Sequence, residues 1–355
     1  MHKRTRAALF ASALLLAGCT APASLAQAPF RAGAPASFAP LVKRVVPAVV
    51  NIQVIEGGNA DASAIPPELR GTPAERMLRE RLRRRAVLGA GSGFIIDPSG
   101  IIVTNTHVVG RANRITVSLS DGRELPARVI GSDELTDIAV IRVTSDSPLP
   151  ATEWGDSRAV EVGDWILAAG NPFGVGISVT AGIVSARGRD IGAGPFDDFL
   201  QIDAPINPGN SGGPTFNMDG QVIAVNTAIV SPTGGSVGIG FAVPSEIAMR
   251  IVDDLRTKGR IERGWLGVSV QAGTRGAGVA IAGVEARGPA SRAGLRPGDV
   301  VTAVNGQKVD TTQGLIRAVA AIPPGGSARL NVRRGNQNVE VPVTVGRRPA
   351  EQREE

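Results

Sequence analysis

Asn207-Pro208-Gly209-Asn210-Ser211-Gly212-Gly213-Pro214 sets one small nucleophile among three glycines, two prolines and two asparagines. Glycine permits positive φ and close backbone approach, and proline stiffens the chain, so this run predicts a tight turn that presents Ser211. In such a turn the N–H groups of Gly209 and Ser211, with Asn210 between them, converge on one point, as the oxyanion of acyl transfer requires. A serine hydroxyl stays inert until a base takes its proton, and the usual base is histidine. The chain holds two histidines; His2 falls in a leader-like stretch, which leaves His107, at the end of the β-branched run that starts at Ile101. A third group must orient the imidazole and stabilise its charged form. Asp121 precedes Gly122 and reads as a hairpin turn, and Asp133 sits in the polar stretch Gly131-Ser132-Asp133-Glu134. Asp137 opens the apolar run Ile138 to Val143, where a buried strand would hold it rigid, so it is the expected partner, 30 positions after His107 and 74 before Ser211.

The elements that must position these groups read as strands. Val45 to Ile55 predicts a first strand, and Gly89 to Val143 carries further β-runs punctuated at Pro98-Ser99-Gly100, Asp121-Gly122 and Gly131-Ser132, enough for one antiparallel barrel. Trp165 to Ala169, Val179 to Ala186, Leu200 to Ala204, Val222 to Ala228 and Gly238 to Val243 supply a second. No alternating helices separate these runs, which excludes a doubly wound α/β sheet. Ser245 to Lys258 predicts a helix, with Ser245 as N-cap and Gly259 as its stop. Residues 56–88 interrupt the β pattern and contain Arg-rich sequence with Met77, Leu78 and Leu82 at helical spacing, the mark of a loop carrying a short basic amphipathic helix.

With 355 residues, 43% hydrophobic and 20% charged, the chain has the composition of an ordinary globular protein of two or three domains. Residues 1–19 resemble a lipoprotein signal peptide, with Lys3, Arg4 and Arg6, the apolar stretch Ala7 to Leu16, and Leu16-Ala17-Gly18-Cys19 placed like the lipobox of bacterial lipoproteins, so that Cys19 would be lipidated. A plain secretory signal cut near Ser24-Leu25-Ala26 is the other reading; both export the chain. Residues 20–37 read as an Ala/Pro-rich tether. Cys19 is the only cysteine, so the folded part is expected to have no disulfide. Removing the leader takes the formal charge from +6 to about +3, and no aromatic-interleaved basic patch argues for nucleic acid. One mature histidine and no cysteine cluster argue for neither metal nor cofactor.

The sequence resembles the HtrA/Deg family of trypsin-like serine proteases, which carry one or two PDZ domains. The matching segments are Gly91 to Ile96, Thr104 to Val109, Thr136 to Val143, Ala169 to Gly174, Gln201 to Pro214, Asn226 to Ile229 and Gly240 to Ser245, with Gly264-Trp265-Leu266-Gly267-Val268 downstream. The chain order His, Asp, Ser is that of chymotrypsin. The resemblance implies a mostly β fold, a chymotrypsin-like double six-stranded β-barrel over 38–258 with the inserted loop at 56–88, one α+β PDZ domain over 262–346, and a charged tail over 347–355. It implies a triad of His107, Asp137 and Ser211; a specificity pocket of Ile206, Asn226, Thr227, Ala228 and Ile229 that favours small or medium aliphatic side chains; and a PDZ carboxylate loop at 264–268. It further implies mobile activation loops at 171–174 and 187–199, a trimer contact at Phe38, and a groove helix at Thr312 to Ala320. Residues 271–278 are shorter and more glycine-rich than in many relatives. The function it implies is an ATP-independent endopeptidase of the cell envelope that degrades unfolded proteins, works as a homotrimer, and binds peptide C-termini at its PDZ domain. A PDZ-bearing binder or chaperone without proteolysis is the alternative.

Overall fold

The computed structural model describes residues 35–56, 69, 71–72, 75, 87–110, 112–172, 176–272 and 278–348. The leader with Cys19, most of the tether, the helix expected around Met77 to Leu82, the centre of the 271–278 stretch and the end of the tail lie outside them. The chain divides into two units, Met1–Ala36 and Ser37–Glu355, and every element below lies in the second.

The first six strands are β1 (Val49–Glu56), β2 (Val87–Asp97), β3 (Ile101–Asn105), β4 (Ala112–Ser118), β5 (Glu124–Asp133) and β6 (Ile138–Val143), and they close a barrel in the order β1-β2-β3-β6-β5-β4. The next six are β7 (Trp165–Gly170), β8 (Ser178–Arg189), β9 (Phe199–Ile202), β10 (Pro214–Phe216), β11 (Val222–Ile229) and β12 (Gly240–Pro244), closed as β10-β11-β12-β9-β8-β7. Closure leaves no exposed sheet edge in either barrel.

Side-chain alternation explains why β3 and β6 read as unbroken apolar runs. Strand side chains point alternately to opposite faces, and here both faces are covered. Ile102, Ala139 and Ile141 fill the first barrel with Val50, Ile52 and Ile95, while Ile101, Val103, Ile138 and Val140 face the other way. That second layer joins Leu167, Phe216, Val225 and Phe241 of the other barrel, so the strands that end near His107 and Asp137 are wedged at the seam. The helix Ser245–Lys258 covers the same layer through Ala248, Val252 and Leu255 and stops at Gly259, whose φ of 71° glycine tolerates.

Two local expectations are corrected. Val45 to Ala48 is not strand: a helix over Ala39–Val45 runs into a 3-10 turn over Val46–Ala48, in keeping with Pro40 and Pro47 at helix-starting positions. Ser245 is not the N-cap of its helix; Pro244 holds that place. The Ser245 hydroxyl instead donates to Gly155 O (2.6 Å) and accepts from Ser157 N (3.1 Å), tying the helix to the connection between the barrels.

The C-terminal part of this second unit contains β13 (Gly264–Trp265), β14 (Val268–Ala272), β15 (Val279–Val284), β16 (Val300–Val304), β17 (Gln307–Lys308), β18 (Ser327–Arg334), β19 (Gln337–Thr344) and β20 (Gly346–Arg347), with short helices at Pro289–Arg292 and Thr312–Ala320. Its main sheet runs β14-β15-β16-β18-β19, which leaves β14 at an edge. The helix Thr312–Ala320 forms where expected and is capped by Thr311, whose hydroxyl accepts from Gly314 N. Asp299 is buried and bound by both ends of the Arg334 guanidinium fork; these bonds and the Arg296 N–H hold its carboxyl below the usual carboxylate range against the opposing effect of burial.

Candidate active site

Strand register brings His107 to Asp137. In the antiparallel β3–β6 pair Asn105 lies opposite Ile138, so the next residues, Thr106 and Asp137, meet, joined by Thr106 N–H to Asp137 O at 3.1 Å, and His107 follows one position on. The chain turns after Asn105 into a short helix, Thr106–Val109, which lifts the His107 side chain out of the seam to half exposure. His107 Nδ1 lies 2.6 Å from Asp137 Oδ2, and the His107 backbone N–H donates to Asp137 Oδ1 at 3.0 Å. With Asp137 ionised, Nδ1 carries the proton and Nε2 keeps a free lone pair towards the cleft.

The carboxylate itself is pinned. Asp137 has φ 56°, a left-handed conformation that aspartate tolerates better than most residues and that is concentrated at functional sites. Its carbonyl accepts from Thr106 N (3.1 Å) and Asn105 Nδ2 (2.7 Å). Asp133, the rejected candidate, is not in a loop: it closes β5, is buried, and binds the Arg263 guanidinium at 2.5 and 2.7 Å. It also accepts from Thr136 N (3.2 Å) and from the Thr136 hydroxyl, one residue before Asp137.

Ser211 sits in a turn between β9 and β10. Asn210 N donates to Asn207 O and Gly213 N to Asn210 O, each at 3.0 Å, while Gly212 N binds Asn226 O at 2.8 Å. Gly209 and Gly212 have φ of 103° and 83°; at Gly212 a Cβ would also overlap Ser92 O and the Thr104 hydroxyl. Both glycines are therefore required by the turn. Among the described residues the N–H groups of Gly209 and Ser211 have no protein acceptor, and Asn210 N is spent within the turn. The Ser211 hydroxyl lies 3.5 Å from Thr227 O, and no hydrogen bond joins it to His107 among the described residues. Attack requires the hydroxyl to leave Thr227 O for His107 Nε2; such bonds are often long without substrate.

A cleft of about 310 Å³ opens beside this centre, lined by His107, Leu135, Thr136, Asp137, Thr227, Ala228 and the loop from Ile191 to Phe199. Of the expected pocket residues, Thr227, Ala228 and Ile229 are part-exposed, whereas Ile206 and Asn226 are buried. Asn226 turns its amide inward, accepting from the Thr215 hydroxyl (2.6 Å) and donating to Ala169 O (3.2 Å), so its side chain supports the barrel behind the Ser211 turn. Among the described residues no group of three or more His, Cys, Asp or Glu side chains could hold a metal ion.

The second candidate site is a groove of about 410 Å³ bounded by Gly264 to Val268, Val270, Leu315, Ile316 and Val319, and by Phe196 and Arg263. Among the described residues the N–H groups of Leu266 and Gly267 have no protein acceptor, and Gly267 has φ 72°. Backbone donors in a turn beside an open β14 edge suit a peptide carboxylate and an added strand.

Three side chains that no sequence pattern marked connect the two sites. The Arg263 guanidinium stacks 4.5 Å from the Phe196 ring centre. Arg317, on the groove helix, donates from Nε to Pro195 O (2.9 Å) and from Nη2 to Asp197 O, and Gln313 reaches Asp190 at 3.1 Å. Phe196 borders both cavities. No spacing rule marks Arg263 or Phe196, because their partners lie 130 and 67 positions away. Arg263→Ala leaves a buried, unpaired Asp133 carboxylate and is expected to lower unfolding stability by about 3–5 kcal/mol; denaturant melts would show Arg263→Met with Asp133→Leu recovering most of that loss.

Two closed antiparallel barrels with a serine turn and a His–Asp pair at their seam, followed by a groove-bearing α+β unit, define a trypsin-like serine endopeptidase with a PDZ domain. Residues 91–225 match the trypsin-like peptidase domain family and residues 264–345 the PDZ domain family. The chain is 43% identical over 357 aligned positions to a probable periplasmic serine endoprotease, DegP-like, of Brucella suis biovar 1, spanning 88% of this chain and 69% of the relative. It is 41% identical over 402 positions to a protein of the same description from Rhizobium meliloti, spanning all of this chain and 79% of that one. Among solved structures it superposes on the HtrA-type protease AlgW with a decapeptide, TM-score 0.76 at 38% identity, over 88% of this chain and 99% of that one. A serine endoprotease from Yersinia pestis gives TM-score 0.70 at 32% identity over 89% and 100%. The chain belongs to the HtrA family of DegP-like serine endoproteases.

Proposed function

We propose that the chain is an exported, ATP-independent endopeptidase that degrades unfolded proteins in the periplasm, with Ser211, His107 and Asp137 as its triad. The reading is carried by one observation, the 2.6 Å pairing of His107 Nδ1 with Asp137, which favours the tautomer whose Nε2 accepts a proton. Ser211 Oγ adds to the peptide carbonyl carbon while His107 Nε2 takes its proton. The oxyanion is held by the N–H groups of Gly209 and Ser211, in the turn that Asn210 completes. Collapse breaks the C–N bond, and the imidazolium returns the proton to the departing amine. Water, deprotonated by the same imidazole, then hydrolyses the acyl-enzyme and restores Ser211. Thr227, Ala228 and Ile229 offer an uncharged wall to the side chain before the scissile bond, with Ile206 packed behind them, and favour small or medium aliphatic residues.

The PDZ unit over 262–346 takes peptide C-termini in its groove, the carboxylate on the 264–268 loop and the strand along β14. Support for peptide binding comes from the decapeptide present with the HtrA-type protease AlgW and from the apolar lining by Leu315 and Val319. Relatives named periplasmic agree with the export signal read in residues 1–19. Tethering through lipidated Cys19 and a homotrimer complete the proposal. Phe38 is the candidate trimer contact; it packs on its own Trp165 at 5.7 Å, and both rings keep part of their surface exposed.

One observation favours the alternative of a peptide binder without proteolysis: the Ser211 hydroxyl rests against Thr227 O. Incubating the chain that starts after residue 19 with a reduced, unfolded protein separates the two. Cleavage after small aliphatic residues, quickened by peptides with apolar C-termini, is the expected result; binding of those peptides with no cleavage favours the alternative.

A further inference from the structure

Ser92 is a fully buried serine between Gly91 and Gly93 of β2, followed by buried Phe94 and Ile95, and every polar atom it has is engaged. Its N–H donates to Ser211 O at 2.8 Å and its carbonyl accepts from the Thr104 hydroxyl at 2.7 Å. Its hydroxyl accepts from Asn171 N at 2.8 Å and donates to Gly209 O at 2.6 Å. Ser92 belongs to the first barrel, and these partners, Thr104 apart, belong to the second. A buried hydroxyl held by one donor and one acceptor has its proton direction fixed, since the lone pair given to Asn171 N–H leaves the O–H for Gly209.

The geometry points to Ser92 as a positioning residue that holds the oxyanion-binding turn open for reaction, a role resting on the serine-protease reading above. The peptide plane between Gly209 and Asn210 has two ends. Asn210 N is bound to Asn207 O, and the Gly209 carbonyl, among the described residues, is held by the Ser92 hydroxyl alone. Gly209 has no side chain and a φ of 103°, so its own covalent structure resists rotation of that plane only weakly. A carbonyl released from Ser92 is free to turn towards the cleft, where its negative end would repel the developing oxyanion, and the N–H donors would lose the fixed aim on which electrostatic stabilisation depends. The backbone bond from Ser92 to Ser211 O survives loss of the side chain, so the nucleophile keeps its place while the oxyanion site loses definition.

The test compares the parent with Ser92→Ala and Ser92→Gly in hydrolysis of a short peptide. It also measures inhibition by a peptidyl boronic acid, whose tetrahedral adduct fills the oxyanion position, and by the same peptide ending in a plain amide. Expected in both variants is a kcat lower by about 10-fold to 100-fold, less than the 10²–10³ that follows outright removal of an oxyanion donor. KM stays within about twofold, boronate affinity falls by a matching factor, and amide-peptide affinity does not change. A merely structural contribution would weaken both inhibitors alike. That outcome, or a kcat within about threefold of the parent, overturns the proposal; so does failure of both variants to fold, which would make the hydroxyl a requirement of the barrels. Ser211→Ala, run beside them, separates this from failure of the protease reading itself: if the parent hydrolyses no faster than Ser211→Ala, the reading fails along with the role built on it.

Discussion

Ser211→Ala and His107→Ala are each expected to lower kcat for peptide hydrolysis by about 10⁶-fold, and the double variant is expected to be no slower than either. The nucleophile and its base act as one unit: without His107 the Ser211 hydroxyl keeps its proton, and without Ser211 the imidazole has nothing to activate. Substrate binding and the Gly209 and Ser211 backbone donors remain, so about 10³–10⁴-fold acceleration over water should persist in every variant. Neither change removes a packing contact of the seam, because His107 is half exposed and the Ser211 hydroxyl makes only a 3.5 Å contact. Melting temperatures should therefore stay close to the parent's, and single-turnover kinetics beside calorimetry check both statements.

Asp137→Asn is expected to cost about 10⁴-fold in kcat with little change in KM. An amide of the same shape can still fill the space beside His107, so the fold is preserved. Its NH₂ group, however, meets Nδ1 as a donor and forces the proton onto Nε2, the atom that must accept from Ser211. The carboxylate's second oxygen holds the His107 N–H at 3.0 Å, so an amide that turns its oxygen to one nitrogen of His107 presents hydrogens to the other. The left-handed backbone at Asp137 suits Asn as well as Asp, which removes backbone strain as a competing cause. Steady-state kinetics on a short peptide, with circular dichroism to confirm an unchanged fold, check both statements.

The mostly β architecture was legible because turn residues and β-branched runs alternate with little ambiguity, and the PDZ unit because Gly264 to Val268 resembles the carboxylate loop of such domains. The start of the first strand was not: Val45 and Val46 have strand propensity, and Pro47 with Pro40 tips them into helix and 3-10 turn. Ser245 has the residue type of an N-cap, but its hydroxyl finds Gly155 O, a partner 90 positions away. Asp133 stands among polar neighbours in the sequence, and its burial is made tolerable by Thr136 nearby and by Arg263, 130 positions on. Such pairings are invisible to local pattern because they join segments 90 and 130 positions apart that only the folded arrangement brings together. Ser92 carried a usable signal, a lone hydroxyl between two glycines in an apolar strand, since a buried polar group needs a partner and two glycines allow close approach.

The most direct test of the central claim is to treat the purified chain with a fluorophosphonate and locate the adduct by peptide mass spectrometry while following digestion of an unfolded protein. The account predicts a single adduct on Ser211, its extent matching the loss of digestion, and no labelling of His107→Ala on the same time scale. Digestion that survives complete labelling of Ser211, or that continues in Ser211→Ala, would contradict it.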